Sequence, residues 1–318
     1  MRLIVNLPAY NEEEKLGQTI NRIPRHFNGI DEVFVQVIDD GSKDRTTEVA
    51  REAGADFVYS NGVNRGVGKT FRHAAERALE NGADIFANID ADGQFDPKDI
   101  QKLIDPIIAQ QADIVSADRF DHLKAKNIPW IKDVLNRFAA KIIGWFMNVG
   151  IKDLTCGFRA YSRETLLRLN LPGDFTYTQE TIIDAIGKDL KILWIPVEVT
   201  YFSDRKSRVV KSVFKYVNNS ARLILKAVRD VRPMKFFGIP ALTLITISVL
   251  TFAAFLFHYF SNNFKVTPYL NYIIASSVTF IIGIQLLIFA FIADMIKSGR
   301  KLTEDLMYQM KKERYSKK

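Results

Sequence analysis

Two carboxylates one residue apart follow an apolar run at Ile89-Asp90-Ala91-Asp92-Gly93-Gln94. Acids at this spacing, just past a strand, can converge on one side. Hard divalent cations such as Mg²⁺ or Mn²⁺ take oxygen ligands and often bridge to substrate phosphates. Asp90, Asp92 and the amide oxygen of Gln94 are therefore a candidate metal set, with solvated loop acids as the plainer alternative. An EF-hand is excluded, because the glycine stands at the fourth loop position rather than the sixth. Val37-Ile38-Asp39-Asp40-Gly41-Ser42 repeats the pattern of apolar run, acids and glycine. Its acids can accept hydrogen bonds from a base or a ribose. Asn64-Arg65-Gly66-Val67-Gly68-Lys69-Thr70 resembles the tail of a phosphate-binding P-loop, but Val63 stands where the leading glycine is required. A glycine turn that opens a helix can still hold phosphate through its amides.

These clusters need a scaffold that brings them together. Strands are expected at Arg2–Leu7, Val33–Asp39, Asp56–Ser60, Ile85–Asp90 and Ile114–Ala117, with helices at Glu13–Arg25, Thr46–Ala53 and Lys69–Asn81. A further helix starts near Asp96, a capping residue, with Pro97 in its first position. Strands alternating with helices predict an α/β fold with a mostly parallel sheet covered on both faces. Such sheets bind ligands beyond the carboxyl ends of their strands, which is where Pro8–Glu12, Asp39–Ser42 and Asp90–Gln94 fall.

The remainder of the chain is of another kind. Phe236–Phe260 and Leu270–Ala293 contain no Asp, Glu, Lys or Arg, and as helices each exceeds a bilayer's roughly 30 Å hydrocarbon core. Cations precede the first stretch and follow the second, while the connection between them carries only Lys265. The positive-inside rule then places both termini on the cytoplasmic side of the cell membrane. The N-terminal apolar run is too short for a signal peptide, so the first domain is expected in the cytoplasm as well. Val213, Phe214, Val217, Ala221, Leu225 and Val228 recur at helical spacing among lysines and arginines, which suits an interfacial helix on anionic lipid. The expected domains are thus 1–209 (catalytic), 210–232 (interfacial helix), 233–296 (two transmembrane helices) and 297–318 (basic cytoplasmic tail).

The 318 residues carry a formal net charge of +8. A basic balance suits nucleic acid, anionic lipid or phosphorylated substrates. Because much of the excess flanks the apolar stretches, nucleic acid is not expected as a partner, and an anionic membrane is. The single cysteine, Cys156, excludes an internal disulfide and, with four scattered histidines, a Cys/His zinc site.

Taken in order, Pro8-Ala9-Tyr10-Asn11-Glu12-Glu13, Asp39-Asp40-Gly41-Ser42, Asn64-Arg65-Gly66 with Gly68-Lys69, Asp90-Ala91-Asp92-Gly93-Gln94, and Asp153-Leu154-Thr155-Cys156-Gly157-Phe158-Arg159-Ala160 resemble the family 2 glycosyltransferases. The likeness is greatest to the polyprenyl-phosphate sugar synthases, such as dolichol-phosphate mannose synthase. It covers residues 1 to about 210, and five ordered motifs are far more specific than any one of them. The resemblance implies a GT-A nucleotide-sugar-binding domain. It implies Pro8, Tyr10, Asn11, Glu12, Asp39, Asp40, Lys69 and Asp90 as the nucleotide set, with Asp90, Asp92 and Gln94 holding Mg²⁺ or Mn²⁺. Arg119 and Arg137 fall where the family places arginines for the acceptor phosphate, and Arg205, Lys206 and Arg208 could close over the phosphates. Asp92, Arg119 and Arg137 are the implied catalytic residues. Glu180 is a candidate base only if the acceptor is a hydroxyl.

The implied reaction is metal-dependent, inverting transfer of a hexose from a nucleotide sugar to a polyprenyl phosphate. UDP-glucose is the first expectation for the donor and GDP-mannose the second. An acceptor phosphate is already ionised at neutral pH and attacks without a dedicated base, so cations must hold two repelling anions together. Transfer to a lipid hydroxyl such as that of diacylglycerol, and a non-catalytic membrane scaffold, are the alternatives. The chain lacks the Gln-x-x-Arg-Trp of processive members, which argues against a polymerase, and a homo-oligomer is left open.

Overall fold

The computed structural model describes residues 1–120, 130–170, 177–200, 222, 225, 228–262 and 264–316. Seven strands form one sheet: β1 (Arg2–Ala9), β2 (Glu32–Asp39), β3 (Phe57–Ser60), β4 (Ile85–Asn88), β5 (Ile114–Asp118), β6 (Arg159–Ser162) and β7 (Ile192–Pro196). Their spatial order is β3-β2-β1-β4-β6-β5-β7. All pairings are parallel except those of β6, which runs antiparallel to both β4 and β5. Since β6 opposes both neighbours, β4 and β5 run the same way, and their carboxyl ends open on one edge. All five expected strands form; β6 (Arg-Ala-Tyr-Ser) and β7 (Ile-Leu-Trp-Ile-Pro) were not among the expected strands.

The helices are α1 (Leu16–Arg22), α2 (Thr46–Glu52), α3 (Val67–Glu80), α4 (Ile100–Ile108), α5 (Trp130–Met147), α6 (Arg163–Arg168) and α7 (Tyr177–Gly187). Helix α1 is shorter than expected. The chain before it is drawn toward the β2–α2 loop, where the Glu12 N–H donates to Thr46 Oγ1. At its other end Ile23, extended because Pro24 follows, stops it. The expected cap at Asp96 forms, accepting from the Lys98 N–H at 3.1 Å with Pro97 next to it.

Alternation along the strands sends side chains to two cores, one on each face. Leu3, Val5 and Leu7 join Leu16, Ile20, Leu103 and Ile104 on one face. Ile4, Ile38, Phe86 and Ile114 join Phe71, Ala74, Leu166 and Tyr177 on the other.

The chain divides into two compact units, Met1–Ile224 with Leu306–Lys318, and Leu225–Asp305. The second contains α8 (Pro233–Ser261) and most of α9 (Leu270–Arg314), both long and apolar enough to cross a membrane. They meet through small residues: a Cβ on Gly283 would lie 2.7 Å from Ile245 Cγ1, and Ser248 Oγ donates to the Ser276 carbonyl at 2.7 Å. Leu250, Phe257 and Ile281 point outward.

The last turns of α9, read from the sequence as part of a basic tail, pack within the first unit. Tyr315 enters the second core, Tyr308 Oη donates to Glu164 at 3.2 Å, and Lys311 Nζ donates to the Leu169 carbonyl at 2.7 Å. The interfacial helix expected at 210–232 lies mostly outside the described residues.

Candidate active site

Parallel register gathers the predicted acids. Asp39 sits beside Ala9 on one side and Ser60 on the other, and Asn6 pairs with Asn88 two residues before Asp90. The loops after β1, β2 and β4 therefore share the carboxyl edge of the sheet.

The first two loops are knitted together. Asn11 adopts a left-handed backbone (φ 52°), its N–H donates to Ser42 Oγ at 2.8 Å, and its Oδ1 accepts from the Lys43 N–H at 2.9 Å. Asp39 accepts from the Ser42 N–H at 2.9 Å and from Ser60 Oγ at 2.7 Å. Gly41 (φ 74°) lets the chain pass so close to Val63 that a Cβ would lie 2.4 Å from its carbonyl carbon.

Asp40 is buried and fully engaged within the protein. Its Oδ1 accepts from Asn61 Nδ2 at 2.8 Å and the Arg65 N–H at 2.9 Å, and its Oδ2 accepts from the Gly66 N–H at 2.9 Å. Asp39, also buried and with both oxygens engaged, ties the end of β2 to Ser42 and Ser60 at the edge, while Asp40 organises the Asn64–Lys69 turn. The exposed Lys69 stands on the first turn of α3, just past it. Pro8, Tyr10 and Glu12 are half-buried at the end of β1.

Asp90 is recessed at the end of β4, and its carboxyl is pushed up to about 7, first by burial and then by the negative charge of Asp92, with Arg119 opposing. Asp92 Oδ1 accepts from the Gln94 N–H at 3.1 Å, and the Gln94 carbonyl accepts from the Thr200 N–H at 3.0 Å. Two mutually repelling carboxylates, all oxygen donors, fit a hard divalent cation that would relieve the repulsion. No cluster of three His, Cys, Asp or Glu side chains converges among the described residues, so substrate phosphate and water would complete such a coordination shell.

Tyr177, beside this pair, escaped the sequence reading. A Cβ on Gly157 would lie 2.9 Å from Tyr177 Oη and 3.1 Å from Asp90 Oδ1. Tyr177 Oη accepts from Asn88 Nδ2 at 2.9 Å, and Asn88 is joined through Asn6 to Gln36 in a buried polar row across three strands. Strand periodicity gave a signal for that row, polar residues at inward positions of β1, β2 and β4, but not for its partner on α7.

The predicted Arg119 and Arg137 lie in different surroundings. Arg119 is buried and gripped by Asp153, with Nε 2.7 Å from Oδ2 and Nη2 3.0 Å from Oδ1, and it donates to Thr155 Oγ1 at 2.7 Å. Burial opposes the charge on Asp153, but Arg119 and the hydrogen bonds outweigh it and hold the carboxyl below its ordinary range. Arg137 instead lines a cavity of about 480 Å³ with Lys141, Lys152, Phe120, Val149 and Ile151, and with Asp118, whose Oδ2 lies 4.0 Å from Lys152 Nζ. Lys141 and Lys152 were not singled out in the sequence because single lysines near a helix end carry no pattern. Arg205, Lys206 and Arg208 lie outside the described residues. Cys156 is fully buried, its thiol pushed up to about 12 chiefly by burial. Arg159, also fully buried, donates to Ser116 Oγ and to the Thr178 and Leu154 carbonyls, tying β6 to α7. Glu180 is buried in the first turn of α7.

The family description "Glycosyl transferase family 2" matches residues 4–169. The chain is 29% identical over 209 residues to the polyprenol monophosphomannose synthase of Mycolicibacterium smegmatis, covering 63% of this chain and 77% of that one. It is 30% identical over 218 residues to the UDP-N-acetylglucosamine–dolichyl-phosphate N-acetylglucosaminyltransferase of Methanococcus voltae, covering 61% and 84%. Among solved structures, glucosyl-3-phosphoglycerate synthase from Mycobacterium tuberculosis, crystallised with Mn²⁺ and UDP-glucose, superposes with a TM-score of 0.56 at 22% identity over 71% of this chain and 79% of that one, a likeness of fold.

Proposed function

This chain belongs to glycosyl transferase family 2, and we propose that it transfers a hexose from a nucleotide sugar to a polyprenyl phosphate at the cytoplasmic face of a membrane. The observation that carries the acceptor assignment is the cavity in which Arg137, Lys141 and Lys152 meet the apolar Phe120, Val149 and Ile151. Three cations against the single carboxylate of Asp118, which pairs with Lys152, leave a net positive charge over an apolar wall and suit a phosphate joined to a hydrocarbon chain. The names of the relatives, which act on polyprenol or dolichyl phosphates, support the same reading.

In this reading Pro8, Tyr10, Glu12 and Asp39 border the nucleotide, and the Asn64–Lys69 turn faces its phosphates. Asp90, Asp92 and Gln94 would hold Mg²⁺ or Mn²⁺, which when bound offsets the charge that builds on the leaving diphosphate. Arg137, Lys141 and Lys152 hold the acceptor phosphate against the repulsion of the donor. One phosphate oxygen attacks the anomeric carbon as the bond to the nucleoside diphosphate breaks, so the configuration inverts. No protein base takes part, because the attacking oxygen carries no proton. Arg119 acts through Asp153 to hold the loop that carries Gly157. UDP-glucose and GDP-mannose are the donors proposed, in that order.

The test incubates the full chain in detergent with a prenyl phosphate, Mg²⁺ or Mn²⁺, and a panel of nucleotide sugars, and identifies the lipid product by mass. A glycosylated prenyl phosphate from one donor is expected. Equal turnover with the dephosphorylated prenyl alcohol would reject the phosphate acceptor.

A further inference from the structure

Asp40 is held by a chain of hydrogen bonds whose direction can be read from one end to the other. Arg77 Nε donates to His73 Nε2 at 3.1 Å. An arginine only donates, so Nε2 carries no proton, and the neutral ring bears its hydrogen on Nδ1. Nδ1 lies 2.7 Å from Asn61 Oδ1 and therefore donates to it. The Asn61 amide is thereby oriented with Nδ2 toward Asp40 Oδ1 at 2.8 Å and Thr70 Oγ1 at 3.1 Å. The Asp40 carboxylate then receives the Arg65 and Gly66 N–H groups, one on each oxygen. Asn61 is largely buried, so reversing its amide would set its oxygen against the Asp40 carboxylate and lose the Nδ2 hydrogen bond, which costs stability.

We propose that His73 and Asn61 are positioning residues of the donor site, fixing through Asp40 the turn that carries Arg65 and leads into Lys69. This rests on the reading of that turn and of Asp39 as nucleotide-facing. Neither residue touches the donor. Their effect is to hold the turn in one conformation before the nucleotide arrives, which lowers the ordering cost of binding.

Asparagine places an amide nitrogen where Nδ1 stands, whereas glutamine reaches the place of Nε2. His73→Asn should therefore keep the bond to Asn61, and His73→Gln and His73→Phe should lose it. The experiment measures binding of UDP and of GDP, each with Mn²⁺, to the full chain in detergent, together with donor and acceptor KM and the thermal midpoint. His73→Gln and His73→Phe should weaken binding of the nucleotide that the protein accepts by about five-fold, the worth of one lost hydrogen bond in a partly buried place. His73→Asn should restore it, and acceptor KM should not move. Equal rises in both KM values, or lowered midpoints with unchanged nucleotide affinity in all three variants, would make His73 merely structural and overturn the inference.

Asp39→Ala separates the two levels. If it abolishes nucleotide binding while His73→Gln binds as the parent does, the relay alone is refuted. If Asp39→Ala also binds as the parent does, the nucleotide pocket is elsewhere, and the inference falls with that reading.

Discussion

Gly157 stands against Asp90 so closely that a single added carbon would lie 3.1 Å from the carboxylate Oδ1 and 2.9 Å from Tyr177 Oη. The glycine is there for space. Gly157→Ala should shift Asp90 by a few tenths of an ångström; since a full ångström of misplacement at a reacting centre costs up to about a hundred-fold in rate, kcat should fall by less, about ten-fold. Steady-state rates at saturating donor and acceptor check this, and an alanine variant with the parent kcat would show that Asp90 tolerates the shift.

Asp92→Asn removes one of the two carboxylates proposed for the cation. The expected result is loss of the stimulation by Mg²⁺ or Mn²⁺, with turnover down by at least about a hundred-fold and membrane insertion unchanged. A metal titration of initial rates measures it. Full activity in this variant would remove Asp92 from the site.

The cavity lined by Arg137, Lys141 and Lys152 makes a different prediction. Each replaced singly by alanine should raise the acceptor KM by about ten-fold, the worth of one charge-assisted hydrogen bond, and leave the donor KM in place. Proportionate rises in both constants would count against an acceptor site there.

The Arg119–Asp153 pair is buried on both sides. Asp153→Ala strands the guanidinium and should destabilise the protein by about 3–5 kcal/mol, seen as a lowered thermal midpoint in detergent. The pair also sets a pH dependence. The Asp153 carboxyl is held below its unfolded value, so its contribution is whole above the ordinary carboxylate pKa of 3.8 and is lost as pH falls through the folded value. The parent's midpoint should drop across that acid window, and Asp153→Asn should drop less.

Relaxation of the His73 relay should show in nucleotide binding. Burial first, then the charge of Arg77, hold His73 below 6.5; Arg65 acts in the same direction, Glu76 and Glu80 oppose it, and the Tyr59 ring packs alongside. Nucleotide affinity should therefore be level through neutral pH and weaken only below the ordinary histidine range, when a proton on Nε2 faces the Arg77 donor. The acid limb should be absent in His73→Asn.

Much of the architecture was legible along the chain, because it rests on local rules. The strands β2 and β4 announce themselves by apolar runs that lead into acids, β1 by its apolar run alone, and the cap at Asp96 by its proline neighbour. The two apolar stretches are readable because length and the absence of charge alone mark a candidate membrane span. What could not be read were relations between distant segments. Arg119 and Arg137 look equivalent as letters, yet one is consumed by Asp153, 34 residues on, and the other opens on a cavity.

The sequence by itself determined which residues are acids at strand ends, which segments suit lipid, and which family pattern joins them, since each depends on composition and near-neighbour spacing. Only the tertiary structure decided that Asp40 serves a turn while Asp39 borders the edge, that Gly157 makes room for Asp90, and that Lys141 and Lys152 accompany Arg137. A hydrogen bond or a clash is a matter of ångströms between groups that chain order leaves far apart, and packing alone sets that distance.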